Sequence, residues 1–405
     1  MKRISMAPAI LFFLGMVAAP VFGDEMTEVY SQIYHDSQSL QDKYSVIQSL
    51  VALDDRIVAP ILGLAFVELL NTQNSYKEAS EKALYGVTVR VVAEALGKFK
   101  HTESAVFLWQ GEEQMEDTLA RAECIMSLGR MRADDYAEKI SLLLRNLNDD
   151  HSASNADSDE KIAYACIIAL SKIKDVQGFK PVFFASDGWY SQRVRSQALK
   201  SLPDICADPT DPVQEIVRNE TGAVRKYRAL ALELGSKAAA DRKIQSAGLG
   251  LFIGHSQDDV NRKTAAKDFS TLRKTALRGL IDLKAKDKGT YSLNGVDINT
   301  VIIETKSYIN GFDDEEKILG LQALGINGSD AAAKVIFDLI IEMNQKMAGG
   351  VGDQTRNRMV MVAIEAAAAS KNSMVKPALL AVQSNMKWSD SIIRSARNAL
   401  ANFGK

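Results

Sequence analysis

Apolar residues recur along most of this chain at spacings of three and four positions, the pattern of amphipathic helices. The pattern is clearest around ten anchor positions, most of them with apolar residues four and three positions before and three after. The anchors are Leu50, Leu96, Leu128, Leu170, Leu202, Leu234, Leu280, Leu324, Ala366 and Leu400. Successive anchors lie 32 to 46 residues apart, which leaves room for one more helix between them. The sequence therefore predicts a repeat of two helices per unit.

Small residues recur beside the anchors. Four positions earlier, six of the ten residues are Ala, Gly or Cys, and the residue just after a Leu anchor is small in six units. These six are Gly97, Gly129, Ser171, Gly235, Gly325 and Ala401. Because a Gly inside a helix costs about 1 kcal/mol relative to Ala, its recurrence predicts close helix packing or a helix end.

The second helix of each unit resembles that of the HEAT-repeat α-solenoids, with the pattern V-R-x-x-A-A-x-A-L-G-x-L-G. Matching stretches begin at Val194, Leu272, Glu315 and Ile392. Pro203 replaces the Gly, residues 356–370 fit poorly, and the typical Arg stands only at Arg121, Arg195 and Arg273. The resemblance implies an all-α solenoid of about nine to ten helix pairs in a right-handed superhelix over residues 24–405.

The N-terminus has the features of a secretory signal peptide. Lys2 and Arg3 precede an apolar run over residues 7–22, and small residues stand at Val21 and Gly23. We expect cleavage after residue 23 and a mature protein that is periplasmic or secreted. The alternative is an uncleaved anchor, although the run falls just short of the roughly 18 to 20 apolar residues that span a bilayer.

Three segments between the repeat helices have loop or turn composition. The acidic stretch 149–161 and the Gly-rich stretch 348–353 are predicted to be exposed loops. Residues 287–300 contain Asn294-Gly295 between β-prone residues and predict a short hairpin.

The sequence contains no recognisable catalytic or metal-binding motif. The four histidines include no pair at i, i+4, and the three cysteines are an odd number without a disulfide framework. Cys124 and Cys166 occupy the same repeat position and are expected in the core. The stretch 248–255 is G-x-G-x-x-x-G, which is not a dinucleotide-binding spacing, and is interpreted as a helix end and turn. We expect no catalytic residues, no metal and no cofactor.

Charge is distributed unevenly along the mature chain. Residues 24–160 hold 12 Lys and Arg against 25 Asp and Glu, whereas residues 190–288 hold 19 against 12. An acidic N-terminal limb and a basic middle would steer oppositely charged partners, or they are ordinary solvated helix faces. The sequence pI near 6.2 and the expected export disfavour nucleic acid.

The basic middle supplies the predicted partner surface. Trp189 and Tyr190 precede a second helix beside Arg193, either exposed for binding or, for Trp189, packed against the next repeat. Four cations are predicted on the open side of successive second helices: Lys200, Arg228, Lys274 and Arg278.

The predicted function is an exported, non-catalytic scaffold whose solenoid groove binds a protein partner of acidic character, without nucleic acid and without a membrane span after signal cleavage. The alternative is a HEAT-like enzyme or enzyme subunit, lyase-like, that holds a ligand in the groove.

Overall fold

A computed structural model describes residues 23–150, 154–257, 266–285, 292–293, 296–350 and 354–404. Its chain contacts divide it into two compact units, residues 1–206 and 207–405. The predicted signal segment 1–22 lies outside the described residues, so the signal peptide remains a prediction. The boundary between the units falls within the basic middle, which is therefore not a single structural body.

Unit 1 consists of helices in its described part. They are α1 (Gly23–Asp36), α2 (Leu40–Ala52), α3 (Ala59–Thr72), α4 (Ala79–Phe99), α5 (Ala105–Gln114), α6 (Thr118–Met131), α7 (Ala137–Asp149), α8 (Ala156–Ile173), α9 (Phe179–Ala185) and α10 (Gln192–Ile205).

Unit 2 adds eleven described helices and one short hairpin. They are α11 (Thr210–Asn219), α12 (Ala223–Leu234), α13 (Ala240–Ser256), α14 (Ser270–Asp282), β1 (Ser292–Leu293), β2 (Val296–Asp297), α15 (Ile298–Glu304), α16 (Ser307–Asn310), α17 (Asp314–Asn327), α18 (Asp330–Ala348), α19 (Gln354–Ser370), α20 (Lys376–Ser384) and α21 (Asp390–Ala401). The two strands pair antiparallel, which confirms the predicted hairpin.

The anchors mark the second helix of every pair. They lie on α2, α4, α6, α8, α10, α12, α14, α17, α19 and α21, and eight of the ten are buried, with Leu234 and Leu400 half-buried. The residue four positions earlier is buried in nine units. Each unit is therefore an all-α solenoid of HEAT-like helix pairs that cover one another's apolar faces, as predicted. The handedness of the superhelix remains a prediction.

The Leu-Gly step is a point of helix contact. A Cβ atom added at Gly97 would lie 2.8 Å from Cα of Ser127 on the next second helix. At Gly129 it would lie 2.5 Å from Cα of Ala169, and at Gly325 it would lie 2.7 Å from Cα of Ala366. Since these neighbours are backbone atoms, only Gly permits such close approach. Gly235 differs, because it caps the end of α12 and has no such neighbour.

The connections between repeats share a local geometry. The second helices α4, α6 and α8 end at residues in the left-handed conformation, Lys100, Arg132 and Lys174. A one-turn 3-10 helix then leads into the next first helix, as at Thr102–Ser104 before α5 and Val176–Gly178 before α9. This repeated turn fixes the register in which each first helix begins.

Two segments predicted as loops or turns are helical instead. Residues 156–161 form the first turns of α8, where Asp157 and Asp159 favour a helix N-terminus through the helix dipole. Residues 248–255 lie inside α13, where Gly254 leaves space for the side chain of Arg273. Gly349 and Gly350 follow α18 as a turn, and residues 151–153 and 351–353 lie outside the described residues.

A fully buried ion pair joins α14 to α17. Arg273 donates from Nε to Glu316 Oε1 at 2.6 Å and from Nη2 to Glu316 Oε2 at 3.1 Å. Its remaining donors reach the carbonyl oxygens of Gly254 and Ala266, and Ser270 and the N–H of Phe312 donate to Glu316. Both charges are thus compensated and hydrogen-bonded inside the core.

Candidate functional site

Trp189 and Tyr190 hold two helix pairs together. The Tyr190 side chain is 2% exposed and donates from its hydroxyl to Asn148 Oδ1 at 3.0 Å. Trp189 is half-buried and donates from Nε1 to the carbonyl of Leu147 at 2.9 Å. Its ring packs against that of Tyr190 in a tilted arrangement, with the ring centroids 4.3 Å apart. Asn148 also donates to the carbonyl of Pro181 at 2.9 Å. The prediction that both aromatics are exposed for a partner is therefore wrong for Tyr190. Trp189 is packed rather than free, although against α7 of the preceding pair and not against the next repeat.

The same arrangement recurs in unit 2. Asn344 of α18 donates to the carbonyl of Ala381 at 3.3 Å and accepts from Trp388 Nε1 at 2.8 Å. In both units an Asn near the end of a first helix makes two hydrogen bonds. Its amide N–H donates to a backbone carbonyl of the first helix in the next pair, and its side-chain oxygen accepts from the aromatic residue that precedes the second helix of that pair. We call each set an asparagine clamp. The clamps account for the position of these aromatic side chains by contacts within the protein.

We expect Asn148→Ala and Asn344→Ala each to lower the free energy of unfolding by about 1 to 3 kcal/mol. Each change leaves a carbonyl and an aromatic donor without their partner in a largely buried setting. Urea unfolding of both variants checks this, with Asn146→Ala on the exposed side of α7 as the control. Loss of less than about 0.5 kcal/mol in both clamp variants contradicts a structural role.

Arg193 and Lys200 lie on one exposed face of α10. They are seven residues apart, so they project from the same side of the helix, and both are exposed. The Arg193 guanidinium carbon lies 4.9 Å from the ring centroid of Tyr164 on α8, a cation–π contact across neighbouring second helices.

The other predicted cations belong to unit 2 and are largely engaged. Arg228 is half-buried on α12. On α14, Lys274 bonds Asp313 at 3.0 Å and Glu315 at 3.2 Å, and Arg278 pairs with Glu315. Hydrogen bonding to Lys274 lowers the pKa of the Glu315 carboxyl. Burial would raise the pKa of Asp313, but the hydrogen bond from the backbone N–H of Glu316, followed by that from Lys274, holds it below its usual range. The prediction of a free cationic stripe is therefore wrong at Lys274 and Arg278. Acidic residues of the next repeat pair with both side chains and neutralise their charge.

A different surface follows the second helices of unit 1. On each of α4, α6, α8 and α10, the side opposite the buried anchor is at least partly exposed, and equivalent positions form rows from helix to helix. We call this the second-helix face. It comprises Arg90, Val91, Glu94, Lys98, Glu123, Met126, Arg130, Tyr164, Ile168, Lys172, Arg193, Gln197 and Lys200.

The second-helix face combines apolar side chains with a row of cations. Met126 and Ile168 stand two positions before their anchors and are half-buried. Lys98, Arg130 and Lys172 stand two positions after theirs. The Lys98 Nζ atom lies 2.5 Å from Asp54 Oδ1, and the Arg130 guanidinium pairs with Glu123 on its own helix. This row of cations was not identified from the sequence. Each of them stands two positions after an anchor Leu, so the spacing could have revealed the row.

Unit 2 contains a second unusual feature, a buried carboxyl group. Glu233 is 0% exposed, and its Oε1 accepts from the hydroxyls of Thr210 and Ser246, both at 2.8 Å. Its Oε2 has no hydrogen-bond partner among the described residues. Burial raises the pKa of Glu233 to about 7. The buried carboxyl group therefore stays protonated up to a pH of about 7.

We expect this group to make stability pH-dependent. The folded pKa of about 7 lies above the ordinary 4.5, so the unfolded chain releases the proton first as pH rises. Stability from the protonated group is full below pH 4.5 and falls by about 3 kcal/mol as pH rises through 7. Unfolding of Glu233→Gln should be flatter over this range than that of the parent. An unchanged slope would contradict the assignment.

The described residues do not gather a metal site. Within the described ranges, no group of three or more His, Cys, Asp and Glu side chains is placed to hold a metal ion. Cys124 and Cys166 are buried as expected, and burial raises the pKa of both thiols. His101 and His255 bond Ser104 and Ser307, whose side chains are buried.

One helical segment in the described residues has the length and apolar composition to cross a membrane. It covers Arg56–Ser75, and half of its apolar window is buried in the fold, as for a core helix.

Comparisons with known proteins give little beyond the fold. No family model matches the sequence, and no curated protein matches it. Among solved structures, it is similar to human deoxyhypusine hydroxylase in complex with glycerol, at 13% identity and a TM-score of 0.27, over 85% of this chain and 96% of that chain. The helical repeat is established by the helix packing described above, independently of this likeness.

Proposed function

We propose that this protein is an exported, non-catalytic binding protein that takes an extended polypeptide segment across the second-helix face of unit 1. The observation that carries the proposal is the row of Met126 and Ile168, half-buried on adjacent second helices and bordered by Arg130 and Lys172. Partly exposed apolar groups ringed by charge are typical of binding surfaces. Kinship with HEAT-repeat proteins, proposed from the second-helix sequences, fits this role.

The spacing of the face limits the partner. Packed helices lie about 8 to 10 Å apart, and an extended chain in the polyproline II conformation rises about 3.1 Å per residue with three residues per turn, so every third side chain faces the same way. A segment crossing from α6 to α8 would therefore bring every third residue to an equivalent position. We propose a partner segment with apolar side chains about three residues apart and with acidic residues that meet Arg130 and Lys172.

The face is also better suited than the stripe on α12 and α14. There Lys274 and Arg278 already bond carboxylates of the next repeat, which a partner would have to displace. On the second-helix face Arg130 is paired only within its own helix, with Glu123, and Lys172 is exposed. Arg193 and Lys200 are exposed at the edge of the second-helix face and extend it. Rim charges of this kind act mainly on association rate and salt dependence.

Selection of displayed random peptides on the protein tests the proposal. Peptides should be enriched for apolar residues about three apart with Asp or Glu between them. Met126→Asp should weaken the enriched peptides at least about tenfold, which corresponds to about 1.4 kcal/mol. The control is Leu142→Asp on α7, which is 45% exposed and lies off this face. Equal binding to both variants would contradict the proposal, as would selection of no peptide.

Export is tested separately. N-terminal sequencing of the protein recovered from its natural host should begin at Asp24. An intact Met1 in the membrane fraction would favour the anchor alternative.

A further inference from the structure

The first helix of the α20–α21 pair exposes an apolar side chain at a position that is buried in other pairs. Five first helices follow a one-turn 3-10 helix: α3, α5, α7, α9 and α20. The fifth residue is buried in the first four of them, as Gly63, Trp109, Ser141 and Phe183. The fifth residue of α20 is Leu380, and it is 51% exposed. At Gly63 the close neighbours are His101 and Ser104 of the next repeat. Leu380 therefore exposes an apolar side chain at a position that is buried in the other four helices.

The last second helix shows the same open side. The residues three before and one after the anchor are buried on α4, α6, α8, α17 and α19, and Gly97, Gly129 and Gly325 there contact the next second helix. On α21 the equivalent residues are Arg397 and Ala401, and both are exposed. Arg394 is exposed one turn earlier. The equivalent positions are also exposed on α10, as Leu199 and Pro203, and on α12, as Ala231 and Gly235. On α21 this exposed side carries two arginines.

The N-terminal end offers an apolar strip of opposite charge. On α1, Val29 is 57% exposed and Ile33 is 42% exposed. Asp36 continues this strip at i+7, and Glu28 borders it, both exposed. Neighbouring exposed apolar side chains rimmed by charge are typical of contact surfaces, so this face of α1 is a candidate for association.

Net charge makes the two ends complementary. Residues 24–55 contain seven acidic residues and one Lys, whereas residues 371–404 contain five cations and one Asp. Exposed apolar side chains lie within both ends, including Leu380 and Met386, which is 85% exposed. One chain therefore carries both halves of a matched contact, which favours a second copy of itself over an unrelated partner.

We propose that copies of this chain associate end to end, with the α20–α21 pair of one copy stacked on the α1–α2 pair of the next. Leu380 and Met386 meet Val29 and Ile33, while Arg394 and Arg397 face Glu28 and Asp36. The contact is heterologous, since different surfaces of the two copies meet, so it can repeat from copy to copy. It is independent of the second-helix face.

Measurement of molar mass in solution tests the proposal. Light scattering coupled to size exclusion is run on the full chain over a range of protein concentrations, at low and high ionic strength. The mass of the parent should rise above that of a monomer with concentration at low salt and fall at high salt, because salt screens the charge pairs. A parent that is monomeric at every concentration at low salt overturns the proposal.

Charge-reversal variants identify the two surfaces. The tail variant is Arg394→Glu with Arg397→Glu, and the head variant is Glu28→Lys with Asp36→Lys. Each alone should stay monomeric. An equimolar mixture should associate again as the parent does, because the intact tail of the head variant meets the intact head of the tail variant, and the reversed tail and reversed head also carry opposite charges. A mixture that stays monomeric, or single variants that associate as the parent does, overturns the end-to-end contact.

Two controls exclude other causes. Lys334→Glu with Lys346→Glu makes the same charge change at exposed positions of α18 and should associate like the parent. Met386→Asp changes an exposed turn residue and should weaken association while leaving the thermal midpoint unchanged. Association through the apolar residues 7–22 would persist in the head and tail variants, and that result also overturns the proposal.

Discussion

Gly129→Ala is expected to lower the free energy of unfolding by about 2 kcal/mol. The new methyl group would lie 2.5 Å from Cα and 2.9 Å from Cβ of Ala169, so α6 and α8 must move apart. Overpacking of this kind costs about 1 to 3 kcal/mol and outweighs the roughly 1 kcal/mol by which Ala is the better helix former. Gly325→Ala, which faces backbone atoms of Ala366 in unit 2, should behave alike.

Gly235→Ala is the matched control for this prediction. Gly235 also follows an anchor, but its backbone is right-handed and the nearest atoms to an added Cβ are carbonyl oxygens at 3.6 Å and 3.7 Å. Ala there should be neutral or stabilising by up to about 1 kcal/mol. Urea unfolding of the three variants distinguishes the sites. If Gly129→Ala is as stable as Gly235→Ala, the close contact of α6 with α8 is wrong.

Glu316→Ala is expected to destabilise the protein by about 3 to 5 kcal/mol, the largest effect of any single change considered. It leaves the Arg273 guanidinium, which is 0% exposed, without its carboxylate. Removing the arginine instead, as in Arg273→Met, should cost a similar amount because Glu316 is then the uncompensated charge.

The double variant Arg273→Met with Glu316→Leu tests whether the uncompensated buried charge causes the loss of stability. With both charges gone, no desolvated ion is left, and replacement of a buried pair by apolar groups is often neutral or stabilising. The double variant should therefore be more stable than either single variant, as measured by urea unfolding. Additive losses in the double variant would show that the cost comes from packing volume and not from the unpaired charge.

The architecture could be predicted from the sequence because each second helix buries the same face. Leu128 and Ala198 are core residues for reasons of local periodicity, and every repeat supplies an independent copy of that signal. The close contact at Gly129 was also predictable, because an internal Gly is costly unless a neighbour requires it.

The candidate site was less predictable because exposure depends on distant neighbours. Tyr190 is buried by a clamp whose Asn148 lies 42 residues away, and Lys274 is neutralised by Asp313, 39 residues away. Nothing in the local pattern around Tyr190 or Lys274 contains those partners. The acidic stretch 149–161 was misread for a related reason, since Asp157 and Asp159 are polar in a loop and favourable at a helix start alike.

Site-specific photo-crosslinking tests the binding role of the second-helix face most directly. A photo-reactive amino acid is placed at Met126 or at Ile168 in cells that make the protein, and at Leu142 of α7 as the control. The account predicts adducts from Met126 and Ile168 with one stretch of the same partner, displaced along it by about three residues, and none from Leu142. Adducts from Leu142 as abundant as those from Met126, or no adduct at either face position, would contradict it.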